Sequence, residues 1–272
     1  MIKNLIFPLI VSLLLVGCKD ENQTSKEGST PSAGIQLDSI LHNYYEDGLK
    51  LNPISATTSG DMRYNDQFPN FLSEAYEDSL RNYYTTYRDR VQALDDTGLS
   101  ETERMSKNIL LWEANINLES LEFAKNKYMP IDQMWSVNLF VGQLASGAGA
   151  QPFNTVEDYR NWLKRVEGYL EWMTTARERM SEGMGMGYVL PVSLITKVIP
   201  QFAAMTNENV EEHLFFGPVN SFPDSFTEEE KQQLTTEYKE MISKKVIPAY
   251  KEMHDFMPVS YTHLTLPTIY SV

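Results

Sequence analysis

The sequence has very little cysteine: Cys18 is the single one among 272 residues. One cysteine forms no disulfide within the chain and cannot supply a cysteine-rich zinc site. The four histidines, His42, His213, His254 and His263, include no two that lie four positions apart, so the H-E-x-x-H helix of many zinc peptidases is absent. The G-x-S-x-G turn of serine hydrolases is absent too.

Basic side chains are also scarce. The chain has 23 Lys and Arg against 37 Asp and Glu, which gives a formal net charge of −14. Binding to the phosphates of nucleic acid depends on clustered positive charge, so nucleic acid is excluded as a partner. The hydrophobic share of 42% and the aromatic share of 11% are enough for a packed core, which excludes disorder of the whole chain.

The one long apolar run, residues 5–16, is 12 residues long, whereas a bilayer-spanning helix needs about 20. It follows Lys3 and precedes Leu15-Val16-Gly17-Cys18. This arrangement is typical of a secretory signal and resembles the bacterial lipobox. We expect cleavage after residues 1–17 and lipidation of Cys18, which would attach the protein to a membrane through its N-terminal lipid. The alternative is an ordinary signal peptide with an incidental cysteine.

Residues 18–34 are polar, rich in Ser, Thr and Gly, and are predicted to form a flexible tether. The tether opens with Lys19-Asp20-Glu21, which resembles a tag for export to the surface of the outer membrane. Position 19 is not Asp, which argues against retention at the inner membrane. We therefore expect a bacterial outer-membrane lipoprotein that faces either the periplasm or the cell surface.

Helical periodicity dominates from residue 35 to residue 258. Apolar positions and capping residues predict helices over 37–50, 74–94, 101–127, 156–182, 192–205, 208–216 and 228–256, with a loop over 52–71 and a kink at Pro248. No convincing alternating strand occurs before residue 259. The expected fold class is all-α, an irregular array of long amphipathic helices without a substantial sheet.

Two helix faces allow a structural and a functional interpretation. Tyr76, Tyr83, Tyr84 and Tyr87 recur at helical spacing. They suit either the buried side of an amphipathic helix or a platform for stacking sugars or peptides. Met105, Ile109, Trp112, Ile116 and Phe123 form the apolar side of the following helix.

Few residues suggest chemistry. Glu211, Glu212 and His213 are adjacent, so they point to different faces, and a solvated acidic helix is favoured over a metal site. The glycine-rich segment 142–153 indicates close backbone packing or a mobile loop, and either suits the lining of a cleft. The acids also offer many carboxylate pairs for glycoside hydrolysis, and spacing selects none of them.

The final residues, 259–272, contain no charged side chain and favour strand over helix. They read either as a β tail or as foreign sequence similar to translated adaptor read-through. We interpret them as non-native.

Three stretches in order resemble the N-terminal half of the bacterial family DUF885. They are N-P-I-S-A-T at 52–57 with G-D-M-R-Y-N-D at 60–66 and Pro69; M-P-I-D-Q at 129–133 with the glycine-rich segment; and Q-P-F-N-T at 151–155 with Asp158, Tyr159, Trp162 and Arg165. The resemblance implies a relative of helical zinc metallopeptidases, often lipoproteins, over residues 35–258.

In that family an H-E-x-x-P-G-H-type helix and a later E-G-W segment form the expected catalytic centre. This sequence contains neither, so no catalytic or metal residue is carried over. We expect an N-terminal portion that is inactive alone and binds no cofactor, whereas a full-length parent would use zinc and a peptide substrate. Candidate cleft-lining residues are Asp61, Arg63, Asp132, Gln133 and Gln151.

Two further functions are open at this stage. The chain is either a complete helical lipoprotein that acts as a binding or scaffold module at the cell envelope, or a carboxylate-based hydrolase.

Overall fold

The computed structural model describes residues 32–258. The predicted signal segment, Cys18, most of the tether and the tail 259–272 lie outside the described residues. Helical residues make up 74% of the described part, which contains no strand, and this confirms the all-α class. The α-helices in chain order are α1 (Ala33–Leu51), α2 (Pro53–Thr58), α3 (Glu74–Gln92), α4 (Glu101–Ser120), α5 (Val137–Ala145), α6 (Val156–Met186), α7 (Val192–Ala203), α8 (Glu228–Met241) and α9 (Ile247–Phe256).

Helix starts follow the predicted caps. The side chains of Ser73, Ser100, Thr155 and Thr227 each accept a hydrogen bond from a backbone N–H in the first turn of the helix that follows. These bonds satisfy N–H groups that have no partner within the helix. The first helix begins two residues earlier than the expected start of the folded region, because Ser32 caps α1.

Helix ends differ more from the predictions. Helix α4 stops at Ser120, and a 3-10 turn, Ala124–Tyr128, occupies the stretch that was expected to continue it. Helix α6 passes through Gly183 and ends at Gly187, which adopts the left-handed conformation with φ of 78°. Both glycines suit a helix end from sequence alone, and only the backbone conformation distinguishes them.

Two segments that were expected to be loops contain helices. Helix α2 and the 3-10 turn Met62–Tyr64 lie within 52–71, and α5 includes the start of the glycine-rich segment. Their short lengths give too few turns for a periodic signal. Conversely, the expected helix over 208–216 is a pair of 3-10 turns, Val210–Glu212 and Leu214–Ser221.

The expected long helix over 228–256 is interrupted close to the predicted kink. A π-helical turn, Ile242–Val246, joins α8 to α9, and Pro248 lies in the first turn of α9. Proline has no N–H and crowds the carbonyl of the preceding turn, and the wider π turn accommodates both effects.

Helix α6 forms the centre of the main core. Its predicted stripe is buried at Tyr159, Trp162, Val166, Tyr169 and Met173. Side chains from α5, α7, α8, α9 and the turn Leu214–Ser221 complete this core. A smaller core lies between α1, α3 and α4 and includes Leu37, Leu94 and Leu99.

The apolar side of α4 is exposed rather than packed. Trp112 is 65% exposed, and Met105, Ile109 and Ile116 are also exposed, as is Phe123 beyond the helix end. The helix packs on its neighbours through its other side, where Lys107, Leu110 and Ala114 are buried. Periodicity identifies an apolar face but not what covers it, and within residues 32–258 nothing covers this one.

Over the described ranges, none of the helices combines the length and apolar character that crossing a bilayer requires.

A pair of glycines on α6 tests the close packing of this helix. A Cβ atom at Gly168 would lie 2.6 Å from the Phe68 carbonyl oxygen, whereas one at Gly185 would meet nothing within 4 Å. We expect Gly168→Ala to lower the free energy of unfolding by about 1–3 kcal/mol through overpacking. Gly185→Ala should raise it by about 0.5–1 kcal/mol through helix propensity. Urea unfolding measures both, and equal effects would contradict this packing.

Candidate functional site

A buried arginine on α6 connects the segments that surround the candidate site. Arg165 is 1% exposed, and no carboxylate of residues 32–258 forms an ion pair with it. Its guanidinium instead donates to neutral acceptors: Gln67 O at 3.0 Å, Gln151 Oε1 at 2.8 Å, Thr57 Oγ1 at 2.8 Å, Tyr64 O at 2.7 Å and Pro53 O at 3.4 Å. The planar group carries five N–H donors, so one side chain can bind helix α2, the stretch that follows it and the glycine-rich segment at the same time.

Burial lowers the pKa of Arg165 to about 10, and the charge of Asp66 opposes this shift. The guanidinium therefore stays protonated at neutral pH and keeps all its donors. Five oxygen acceptors replace the water that a buried cation loses.

Gln151 is the second buried polar residue of this network, with 3% of its surface exposed. Its Oε1 accepts from Arg165, and its Nε2 donates to Asn65 O at 3.3 Å. Both ends of the amide are thus fixed, and the glycine-rich segment is held against the turn Met62–Tyr64 and the residues that follow it.

A cleft of roughly 510 Å³ lies beside Gln151. Its walls are the end of the glycine-rich segment and part of the turn Leu214–Ser221. The lining residues are Met62, Ser146, Gly147, Gly149, Ala150, Gln151, Pro152, Phe153, Asn154, Tyr159, Gly217, Pro218 and Ser221. The Tyr159 hydroxyl donates to Pro218 O at 3.0 Å and fixes the second wall to α6. We take this as the candidate functional site and refer to it as the glycine cleft.

Of the five residues that the sequence suggested, Gln151 lines the glycine cleft. Asp61 and Arg63 lie on either side of Met62 and pair with each other, with Arg63 Nη2 at 2.6 Å from Asp61 Oδ2. Arg63 also pairs with Glu46 of α1 at 2.8 Å. These ion pairs attach the turn Met62–Tyr64 to α1 outside the cleft.

The other two suggested residues lie ahead of α5. Asp132 Oδ1 accepts from the backbone N–H groups of Met134 and Trp135, both at 2.6 Å. The carbonyl of Gln133 accepts from the side chain of Gln201 at 3.0 Å. The five residues therefore do not come together in one site.

Sequence reasoning missed the central role of Arg165, although one signal was present. Arg165 follows Trp162 by three positions and directly precedes Val166, so it lies on the apolar stripe of α6. A charged residue on a buried stripe must find internal partners.

Within residues 32–258 the histidines form no metal centre. His213 is 4% exposed, and burial lowers its pKa, so the ring is neutral. Its Nε2 donates to Met205 O at 3.1 Å and its Nδ1 accepts from Phe215 N at 3.3 Å, which leaves no lone pair for a metal. The neighbouring Glu211 pairs with Lys239. In the described part of the chain no three His, Cys, Asp or Glu side chains are grouped to hold a metal ion, so these residues do not fit a zinc site.

The family model for "Bacterial protein of unknown function (DUF885)" matches residues 53–265. No curated protein sequence matches the chain. Among solved structures, the chain resembles a protein described as "the putative lipoprotein from Colwellia psychrerythraea", with a TM-score of 0.63 and 16% sequence identity. The alignment covers 83% of this chain and 41% of that one, so the chain spans less than half the length of its structural relative.

The two arginines Arg165 and Arg177 of α6 offer a matched test of the network. Arg165→Met should lower the free energy of unfolding by about 3 kcal/mol, because it removes the donors of several buried acceptors. Arg177 pairs with Glu252 at the surface, so Arg177→Met should cost less than about 1 kcal/mol. Urea unfolding of both variants measures the difference, and similar losses would show that the Arg165 network contributes little.

Proposed function

The chain belongs to the bacterial family DUF885, and we propose that it is a lipid-anchored envelope protein whose helices wall the substrate cleft of a metal-dependent peptidase. The anchor is the lipid on Cys18, and the protein resides at the outer membrane. In this proposal residues 32–258 form the N-terminal helical part of a longer protein and bind and orient the substrate. They are inactive without the catalytic part.

The glycine cleft carries this proposal. The glycines let the two walls pack closely: a Cβ atom at Gly217 would lie 2.8 Å from the Ser146 carbonyl oxygen, and one at Gly149 would lie 3.1 Å from the Gln143 carbonyl oxygen. The cleft between the walls is therefore preformed by backbone packing. An extended peptide presents N–H and C=O groups, and the Gln151 amide keeps one N–H and one oxygen lone pair beyond its bonds to Arg165 and Asn65 O. Preorganised groups of this kind reduce the entropy that binding costs.

The greater length of the structural relative supports the proposal that a catalytic part follows the described residues. That relative extends well beyond the matched region, and the resemblance of the sequence to DUF885 implies an H-E-x-x-P-G-H-type helix in such a part. A zinc ion would be held there, since the histidines and acids of residues 32–258 do not fit one. The described residues contribute binding and positioning in this proposal.

One observation favours a second function. The exposed apolar side of α4 suits contact with another macromolecule, which would agree with a complete helical lipoprotein that acts as a binding or scaffold module. The downstream gene sequence distinguishes the two functions directly.

We expect an intact copy of the gene to encode an H-E-x-x-H-type helix downstream of Pro258. The encoded full-length protein should cleave members of a peptide panel, and a zinc chelator should abolish the cleavage. Residues 32–258 alone, at the same concentration, are the inactive control. A stop codon near Pro258 would contradict the peptidase proposal, and chelator-insensitive cleavage of glycans would favour a carboxylate-based hydrolase instead.

Lipidation has its own test in a bacterial host. The wild-type chain should incorporate an alkyne-labelled fatty acid and sediment with the outer membrane, because lipid chains on Cys18 supply the anchor. Cys18→Ala should lose the label, while Lys19→Ala, which leaves the cysteine intact, should keep it. Full labelling of Cys18→Ala would reject the anchor without affecting the peptidase proposal.

A further inference from the structure

A second groove, to which five tyrosines contribute, lies between α1, α3, α4 and the outer side of α2. Its volume is roughly 470 Å³. The lining residues are Tyr44, Tyr45, Gly48, Leu49, Leu51, Asn52, Ser55, Ser59, Tyr76, Leu80, Tyr83, Tyr84 and Glu113. We call it the tyrosine groove. It is separate from the glycine cleft, with which it shares no lining residue.

The rings are fixed in place by contacts with one another and with α1. Tyr44 and Tyr83 stack with centroids 4.9 Å apart, and Tyr84 meets Tyr83 edge to face at 5.0 Å. A Cβ atom at Gly48 would lie 2.9 Å from the Tyr83 hydroxyl oxygen, so glycine at this position lets the ring lie against α1. The groove is therefore preorganised by packing.

Two hydroxyl groups of the groove, those of Tyr76 and Tyr83, act as acceptors towards a ligand. Tyr83 donates its proton to Tyr44 O at 2.6 Å, and Tyr76 donates to Leu51 O at 3.0 Å. Each oxygen keeps lone pairs but has no further proton to give. A ligand that bonds to these oxygens must itself be the donor.

One carboxylate lies among the rings. Glu113 of α4 is partly buried, and it forms no ion pair with any cation of the described chain. Burial raises the pKa of Tyr44 and that of Tyr84. A hydrogen bond from the Tyr44 hydroxyl to Glu113, together with the Glu113 charge, raises the pKa of Tyr44 further, and the charge alone does so for Tyr84. An ionised carboxylate only accepts hydrogen bonds, which adds to the acceptor character of the groove.

We propose that the tyrosine groove binds the ammonium or guanidinium group of a cationic ligand, with Glu113 as its counter-ion. Such a group supplies several N–H donors and one positive charge, which match the acceptors and the unpaired carboxylate. Aromatic rings also attract cations through their negative faces. The net charge of −14 raises the local concentration of cations around the protein.

A neutral sugar fits this groove less well. A neutral sugar would leave the charge of Glu113 without a counter-ion, whereas a cation compensates it. The cation has two chemical sources, a Lys or Arg side chain in a peptide or a free alkylamine. The inference concerns binding alone, so it does not depend on the peptidase proposal.

The test is calorimetric titration of the mature chain, from Cys18 onward, in detergent micelles. The probes are acetyl-Gly-Lys-Gly-amide, the same peptide with norleucine in place of lysine, butylamine and maltotriose. We expect the lysine peptide to bind roughly tenfold more tightly than the norleucine peptide, and added salt to weaken it. Binding of butylamine as tight as that of the lysine peptide would identify a free amine as the ligand, and weaker binding would identify a peptide.

Two variants test the groove itself. Glu113→Gln keeps the side-chain shape and should weaken binding of the lysine peptide roughly tenfold. Glu119→Gln removes a charge from the exposed end of the same helix and should bind as the wild type does. Gly48→Ala displaces the Tyr83 ring and should also weaken binding, with thermal melts of each variant as folding controls. Unchanged binding by Glu113→Gln, equal binding of the norleucine peptide, or tighter binding of maltotriose would overturn the proposal.

Discussion

The guanidinium of Arg165 is the interaction on which the arrangement of this molecule depends. Moving a cation out of water is costly, and the cost is usually met by a carboxylate partner. Here oxygen atoms from α2, from the stretch after it and from Gln151 take that role. The acceptors are neutral, so they compensate for lost water only if several are correctly placed at once. Loss of the arginine would leave buried acceptors unsatisfied in all three segments.

The positions of both candidate sites depend on the Arg165 network, because this network fixes α2 and Gln151. Thr57 and the carbonyl of Pro53 bind Arg165 on the inner side of α2. Ser55 and Ser59 line the tyrosine groove on the outer side. The glycine cleft lies beside Gln151, which Arg165 holds directly. A short helix of six residues has little stability of its own, so its position depends on these tertiary contacts.

The sequence predicted the local features well because their causes are local. A capping box such as Ser100 with Glu103 requires two residues three apart, and the stripe of α6 requires only regular spacing. Features that depend on distant partners were missed. The hydrogen bond from Arg165 to the carbonyl of Gln67 joins residues 98 positions apart, and no spacing rule encodes it. His213 was interpreted as part of a solvated helix, whereas its burial depends on contacts with Met205 and Phe215.

The distribution of charge explains why an unpaired carboxylate in the tyrosine groove is distinctive. No Asp or Glu of residues 32–258 is fully buried, and the Arg165 guanidinium and the Tyr238 hydroxyl, both in the core, donate to neutral acceptors. Most ion pairs instead lie at the surface, where each contributes little to stability. Carboxylates therefore contribute little to the stability of the core. Glu113 is held among aromatic rings with the Tyr44 hydroxyl bonded to it but with no cation of the described chain beside it. A neutral donor leaves its charge in place, and a ligand of opposite charge compensates that charge most fully.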